Sequence, residues 1–348
     1  MNKLSKTELK HIALGSVKIL AFVLVFMILL QLLSNTCFSQ KGATHYKTAL
    51  NKAYAFLQEP DNSIDVVAIG NSDLYSAFVP AELWTKHGYT CTVIASPHQT
   101  PLQSYKMLQT LFEKQHPRVV VIETDMLYDE MVEKNGSVKG EQNIVQFLFD
   151  NYDTEDFEEI VKSQFPIFTF HDKWKKAGKP KKVDTPDSHG YKYSSTVRRV
   201  TIGDYMKETE DKEPIKSKNA EMLRKIQELC EENGSEVFFI EMPSVTSWNT
   251  ERHNAVEALT TELGADFLDL NLLTRDMGLN LEVSFRDKGN HLNYDAACKV
   301  TDYLGDYIAA HYHLDDRRDD PDYAFYQTSI ERFYNQIEAE NAAKGEIQ

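Results

Sequence analysis

The sequence predicts an α/β fold in three layers, with a mainly parallel sheet of about five strands and one membrane-spanning helix at the N-terminus. Three observations lead to this prediction: short apolar runs that end at turn residues, helix-period stretches between them, and one apolar run of bilayer length near the start of the chain. Strands that alternate with helices in this way form βαβ units, in which the strands are parallel.

The first predicted element is an almost continuous apolar run over residues 12–33. As a helix it would be about 33 Å long, which is enough to cross the core of a bilayer. Lys3, Lys6 and Lys10 precede it, so residues 1–11 are expected to stay in the cytoplasm and the rest of the chain to lie outside. The sequence therefore predicts a single-pass cell-membrane protein with an extracytoplasmic body.

A cleaved signal peptide is the alternative interpretation, because residues 19–33 alone have the length of its apolar segment. Signal-peptidase sites carry small residues at alternate positions, and Cys37-Phe38-Ser39 matches that pattern poorly. The uncleaved anchor is therefore preferred.

After a linker and juxtamembrane helix at residues 34–58, one domain is predicted over residues 59–312 and a polar C-terminal tail over residues 313–348. Its strands are expected at residues 64–69, 92–95, 118–123, 236–241 and 266–270. Its helices are expected at residues 80–86, 101–115, 216–233, 251–263 and 297–310. Residues 127–214 have weak periodicity and are predicted to form an inserted cap over the carboxyl ends of the strands. A packing subdomain that does not contact substrate is the alternative.

Composition limits the partners. The formal charge of −15 repels the phosphate backbone of nucleic acid, so nucleic acid is not an expected partner. The basic stretch at residues 173–182 is interpreted as a solvated loop. No two cysteines have metal-binding spacing, and all four are interpreted as free or packing side chains: Cys37, Cys91, Cys230 and Cys298. No cofactor and no metal ion are predicted.

Two motifs carry the chemistry. Gly70-Asn71-Ser72 follows the first predicted strand, where a turn into a helix exposes a hydroxyl and supplies backbone N–H donors for an oxyanion. A simple tight turn has the same composition. The second motif, residues 287–291, precedes the last helix of the domain, and in it Asp287 can orient one ring nitrogen of His291 while the other accepts the proton of a serine. The histidines His253 and His311 have no such acid nearby in sequence and are predicted to be solvated.

These motifs resemble those of the SGNH, or GDSL-like, hydrolase family, over about residues 64–310. The resemblance implies a flavodoxin-like SGNH sandwich, with Ser72 as nucleophile, Asp287 as orienting acid and His291 as base. Asp287 lies four residues before His291, whereas the family spacing is three. The chain looks most like the membrane-anchored branches that act on cell-surface polymers, such as those of teichoic-acid D-alanylation and alginate acetylation.

The oxyanion donors depart from the family pattern. Its second-block glycine is replaced by Ser96-Pro97-His98-Gln99, and its third-block asparagine by Glu123-Thr124-Asp125. The backbone amide of Ser72 and the side chains of Gln99 and Thr124 are therefore the candidate donors, on their positions after the strands. Loop capping is the alternative role for both side chains.

The expected reaction is acyl transfer through an acyl-serine, completed by water in an esterase or by a polymer hydroxyl in an O-acyltransferase. The resemblance implies a cell-envelope polysaccharide or teichoic-acid-like polymer as substrate, the lipid bilayer as a partner, and a multi-span membrane acyltransferase as a further partner. A catalytically inactive scaffold protein of the same fold is one alternative. A metal-dependent phosphoesterase that uses Glu123, Asp125 and His291 is the other.

Overall fold

The computed structural model of the chain describes residues 6–37, 53, 55–129 and 187–345. The N-terminal helix belongs to one compact unit, and the described residues from 53 onward belong to another. Most of the predicted linker, the basic stretch and the greater part of the predicted cap lie outside the described residues.

The N-terminal helix, α1, covers Lys6–Cys37 and so extends beyond the predicted apolar run at both ends. Its segment Leu14–Leu33 is long and apolar enough to cross a membrane, by length and composition. Large apolar side chains such as Leu20 and Phe22 are about two-thirds exposed or more, at 68% and 72%. An apolar helix with this surface is suited to a lipid environment.

The second unit contains the predicted sheet of five strands, all of them parallel, in the order β2-β1-β3-β4-β5. This is the flavodoxin-like order, in which the chain starts in the middle of the sheet and reverses its direction of winding between β1 and β3. The strands are β1 (Val66–Gly70), β2 (Cys91–Ala95), β3 (Val119–Glu123), β4 (Glu236–Glu241) and β5 (Phe267–Asp269).

Helices cover both faces of the sheet, as the three-layer prediction requires. Val66 and Ala68 of β1 pack with one helical layer, whereas Val67 and Ile69 pack with the other. Every residue of the first three strands is buried, so these strands show a continuous apolar run and no alternation. The helices are α2 (Leu74–Ala77), α3 (Pro80–His87), α4 (Pro101–Phe112), α5 (Ser217–Glu232), α6 (Thr250–Leu263), α7 (Tyr294–His311) and α8 (Ala324–Gly345).

The last helix, α8, lies in the segment predicted as a polar tail, but one of its faces packs against the domain. Four apolar side chains at spacings of four, three and four residues are buried with Trp84 of α3: Tyr326, Ile330, Phe333 and Ile337. The Tyr326 hydroxyl also accepts a hydrogen bond from the backbone N–H of Cys91 and donates one to its carbonyl, at 2.9 and 2.7 Å. Residues 324–345 are thus part of the folded unit.

Three of the four cysteines have described side chains, and these three agree with the interpretation as free or packing residues. Cys91 and Cys230 are buried thiols in β2 and α5, and Cys298 is a half-buried thiol in α7. All three are free.

Candidate active site

Ser72 lies in the turn between β1 and α2, at the carboxyl edge of the sheet, and is half-buried. The side chain of Asn71 shapes this turn, because its Oδ1 accepts a hydrogen bond from the backbone N–H of Asp73 at 2.9 Å. Gly70 allows the side chain of Glu123, at the end of β3, to lie close to the turn, because a Cβ at position 70 would be 2.5 Å from Oε2 of Glu123. The local sequence thus folds into a strand-to-helix turn of the kind that carries a nucleophilic serine, with Ser72 half-buried between buried neighbours.

The second motif forms a compact loop around Asp287. One of its carboxylate oxygens lies 2.5 Å from Nδ1 of His291, and the other accepts backbone hydrogen bonds from Gly289, Asn290 and His291 at 2.9 to 3.2 Å. Gly289 has a φ of +107°, which favours glycine. The loop therefore accommodates the four-residue spacing, and Asp287 directly orients the His291 ring.

The two motifs meet through Asp73, the residue after Ser72. Nε2 of His291 lies 3.6 Å from Oδ1 of Asp73, and Nδ2 of Asn290 donates to the same oxygen at 3.0 Å. Ser247 donates to the other oxygen of Asp73 at 2.8 Å. Among the hydrogen bonds of the described residues, none joins the Ser72 hydroxyl to His291. The structure thus brings the two loops together: Nδ2 of Asn290 lies 3.3 Å from Nε2 of His291, and Oδ1 of Asp73 lies 3.6 Å from it.

The side chains of Gln99 and Thr124 are fully buried and use their hydrogens inside the protein. Gln99 donates to the carbonyl of Ile94 and the hydroxyl of Ser104, at 3.1 and 3.0 Å. Thr124 donates to the carboxyl of Glu241 at 2.7 Å. In this arrangement neither side chain offers a hydrogen to an oxyanion, so these interactions correspond to the capping role and leave the Ser72 amide as the candidate donor.

Buried carboxyl groups surround the turn, and the sequence analysis did not anticipate them as a group. Burial, reinforced by neighbouring acids, raises the pKa of Asp73, Glu123 and Glu241 well above the ordinary carboxyl range. Burial and the nearby Asp129 raise the pKa of Asp125 to about 6, against the opposing hydrogen bonds from Asn71 and Arg252. Burial therefore biases this cluster toward its protonated forms.

The protonation of His291 is set by its surroundings. Burial lowers its pKa, the hydrogen bond to Asp287 acts to raise it, and the positive charge of Arg286 lowers it again. For Asp287, burial acts to raise the pKa but is outweighed by hydrogen bonds from His291 and the loop amides, so the pKa is lowered. The pair is therefore biased toward a neutral imidazole beside a carboxylate, which is the form a general base requires.

A second histidine with an acid partner lies at the same edge of the sheet. Nδ1 of His98 lies 2.9 Å from Asp129, whose other oxygen accepts a hydrogen bond from Nδ2 of Asn71 at 2.7 Å. His98 has a φ of +53°, a conformation uncommon for residues other than glycine. His98 follows β2 and Asp129 follows β3, the two strands that flank β1 in the sheet.

The residues of the phosphoesterase alternative make other contacts. Glu123 accepts hydrogen bonds from the backbone N–H groups of Asn71 and Asp125, and Asp125 also pairs with Arg252 at 3.0 Å. Across residues 53–129 and 187–345, no three acidic, histidine or cysteine side chains are arranged to hold a metal ion.

The prediction that His253 is solvated is wrong. Its Nδ1 lies 2.7 Å from Oδ2 of Asp269, which also accepts a hydrogen bond from the indole N–H of the buried Trp248 at 2.9 Å. The acid comes from the end of β5, a neighbour in space and not in sequence. His311 is exposed, as predicted, and its Nδ1 contacts the carbonyl of Tyr307.

No protein-family model matches the sequence, and no curated protein matches it. Among solved structures, the chain is similar to a Bacteroides fragilis protein provisionally classed as an acylhydrolase, whose crystal structure was determined at 2.00 Å resolution. The two share 12% sequence identity with a TM-score of 0.36, over 77% of this chain and 97% of that one. The chemistry of the site therefore has to follow from the residues of this chain.

Proposed function

We propose that this chain is an extracytoplasmic, serine-dependent acyl ester hydrolase or O-acyltransferase that acts on a cell-surface glycopolymer through an acyl-serine intermediate. The observation that carries the proposal is the meeting of two loops at the carboxyl edge of the sheet. Asn290 donates to Asp73, 217 positions away in the chain, and His291 beside it is oriented by Asp287. The proposal is supported by this contact because the candidate base belongs to the loop that meets the turn of Ser72.

In the proposed first step, Nε2 of His291 takes the proton from Oγ of Ser72 while that oxygen bonds to the acyl carbon. The ester bond then breaks, and His291 returns the proton to the leaving alcohol. Nδ1 keeps its hydrogen throughout, because it donates to Asp287. Substrate binding has to bring the Ser72 hydroxyl within hydrogen-bond reach of Nε2, a tightening that is common when unoccupied active sites bind their substrates.

In the second step an acceptor hydroxyl gives its proton to Nε2 as its oxygen attacks the acyl-serine, and Ser72 regains a proton as it leaves. Water as acceptor makes the protein an esterase, and a polymer hydroxyl makes it an O-acyltransferase. With α1 as an uncleaved anchor and its lysines in the cytoplasm, both steps take place outside the cell. The donor then has to be supplied through the membrane, for which a multi-span acyltransferase is the proposed partner.

A catalytically inactive scaffold protein in a polymer-modification complex is the second candidate. The scaffold candidate is favoured by the internal hydrogen bonds of Gln99 and Thr124. These side chains donate within the protein the hydrogens that would otherwise bind an oxyanion. A scaffold would retain the loop contacts as packing interactions without using Ser72.

Labelling of the full-length protein with a fluorophosphonate probe separates these candidates. We expect covalent labelling of the wild type, loss of labelling in Ser72→Ala, and unchanged labelling in Ser217→Ala, a control at an exposed serine at the start of α5. Labelling that persists in Ser72→Ala would refute the proposed nucleophile. A wild type that never labels favours the scaffold, and an esterase activity abolished by a chelator but kept in Ser72→Ala favours the metal-dependent alternative.

A further inference from the structure

The side chain of Arg286 connects the two loops of the site by a route separate from Asp73. Its Nη2 donates to Oγ of Ser76 at 2.6 Å. The Ser76 hydroxyl in turn donates to the carbonyl oxygen of Ser72, also at 2.6 Å. A continuous path of two hydrogen bonds therefore runs from the residue before Asp287 to the backbone of the candidate nucleophile.

The guanidinium group of Arg286 is held on a second side as well. Nη1 donates to the backbone carbonyl of Lys192 at 2.9 Å, and the group lies 5.9 Å from the ring centroid of the buried Tyr75. The ring of Tyr75 is nearly parallel to that of His291, with an interplanar angle of 3° and centroids 6.3 Å apart. Arg286 thus contacts both α2, which follows the turn that carries Ser72, and the aromatic ring that lies beside the base.

We propose that Arg286 is a positioning residue of this site, which fixes the turn of Ser72 relative to the loop of His291. The inference rests on the proposed function, because it assigns Arg286 a task in the same reaction. Arginine suits this task since its planar fork donates in two directions at once, whereas a lysine at this position would supply the charge without the paired geometry.

Several charged groups act on His291 together. Asp287 lies at Nδ1 and Asp73 faces Nε2, while Arg286 and Lys192 both act to lower the pKa of the ring. Burial raises the pKa of the Asp73 carboxyl, which acts to reduce the negative charge that this group presents to the ring. Removal of the Arg286 charge is therefore expected to raise the pKa of His291 and to leave less of the imidazole neutral.

Three variants separate the geometric effect from the electrostatic one. Arg286→Met removes both the charge and the hydrogen bonds, Arg286→Lys keeps the charge, and Ser76→Ala interrupts the path without changing any charge. Arg198→Met is the matched control, because it removes a positive charge from the adjacent segment while the backbone bond of Arg198 to Phe285 remains.

Two measurements on the full-length, detergent-solubilised protein provide the readouts. The first is the rate of fluorophosphonate labelling across the range from about pH 5 to pH 9. The second is the titration midpoint of His291, followed by NMR of isotope-labelled histidine and assigned by comparison with His291→Gln. The second readout does not depend on any activity.

We expect Arg286→Met to slow labelling about ten- to a hundredfold, as a misplaced catalytic group does, and to raise the His291 midpoint by roughly half a unit. Arg286→Lys and Ser76→Ala should slow labelling with a midpoint close to that of the wild type, and Arg198→Met should change neither. Wild-type labelling rates in Arg286→Met and Ser76→Ala would overturn the positioning role. An unchanged midpoint in Arg286→Met would overturn the electrostatic role. This result can be read even if the wild type does not label, which is the outcome that would count against the hydrolase proposal.

Discussion

The titration of Asp125 predicts an unusual dependence of stability on pH. This carboxyl is buried beside β3, with a pKa raised from 3.8 to about 6. Because the pKa in the folded state lies above the unfolded value, the contribution of this group to stability is fully present below about pH 4 and is lost as the pH rises through about 6. The folded protein should therefore become less stable between weakly acidic and weakly basic pH.

The difference of about two pKa units corresponds to about 3 kcal/mol of unfolding free energy at high pH, since each unit is worth about 1.4 kcal/mol. Roughly half of that loss falls between pH 5 and pH 8. The raised pKa values of Asp73, Glu123 and Glu241 act in the same direction. The lowered pKa of His291 acts in the opposite direction as the pH falls below about 6.5.

Urea unfolding of the full-length protein at about pH 5, 6.5 and 8, followed by tryptophan fluorescence, measures this dependence. Asp125→Asn removes one titrating group. Between pH 5 and pH 8, the unfolding free energy of this variant should therefore fall about 1.5 kcal/mol less than that of the wild type, whatever the absolute stability of the variant. Asp276→Asn, at an exposed carboxyl, should behave as the wild type does. An Asp125→Asn protein with the wild-type pH dependence would show that this carboxyl is ionised in the fold, contrary to the reasoning.

Four further substitutions test other features. Asp287→Asn should slow fluorophosphonate labelling roughly 10²- to 10⁴-fold, because the histidine loses the acid that selects its tautomer; a rate within a factor of three of wild type would assign the orienting role elsewhere. Gly190→Ala should cost at least about 2 kcal/mol in urea unfolding, since φ is +93° and the new Cβ would lie 2.0 Å from the carbonyl oxygen of Val93; wild-type stability would contradict that close approach. Phe333→Ala should cost about 3 to 5 kcal/mol in thermal unfolding if α8 packs as described, and no cost would mean that the helix is detached. Thr100→Ala should cost about 1 kcal/mol in urea unfolding by removing the capping box of α4, whereas Thr201→Ala, at an exposed loop threonine, serves as its control.

The sheet was predictable from the sequence because its strands are buried on both faces. The run predicted at residues 64–69 forms β1 at Val66–Gly70, and the runs near residues 92 and 118 form β2 and β3 with shifts of one residue at an end. Parallel order follows from the alternation with helices. The position of Ser72 just after a strand was visible for the same reason.

Contacts that depend on which strands are neighbours were not predictable in this way. Asn71 meets Asp125 and Asp129 only because β1 pairs with β3, and His253 meets Asp269 only because α6 packs beside β5. The packing of α8 is different, because its apolar spacing was present in the sequence from Tyr326 to Ile337. The segment as a whole is polar, and its composition alone therefore predicts an exposed tail. The helical spacing of its apolar residues predicts the buried face.

The contact between Tyr326 and Cys91 bears on self-association. β2 is the outer strand on its side of the sheet, and the exposed hydrogen-bonding groups of such a strand invite pairing with another chain. Tyr326 occupies the N–H and carbonyl of Cys91, and the carbonyl of His189 occupies the N–H of Val93. These two contacts therefore occupy groups on this edge of the sheet with which a strand of a second chain would otherwise pair.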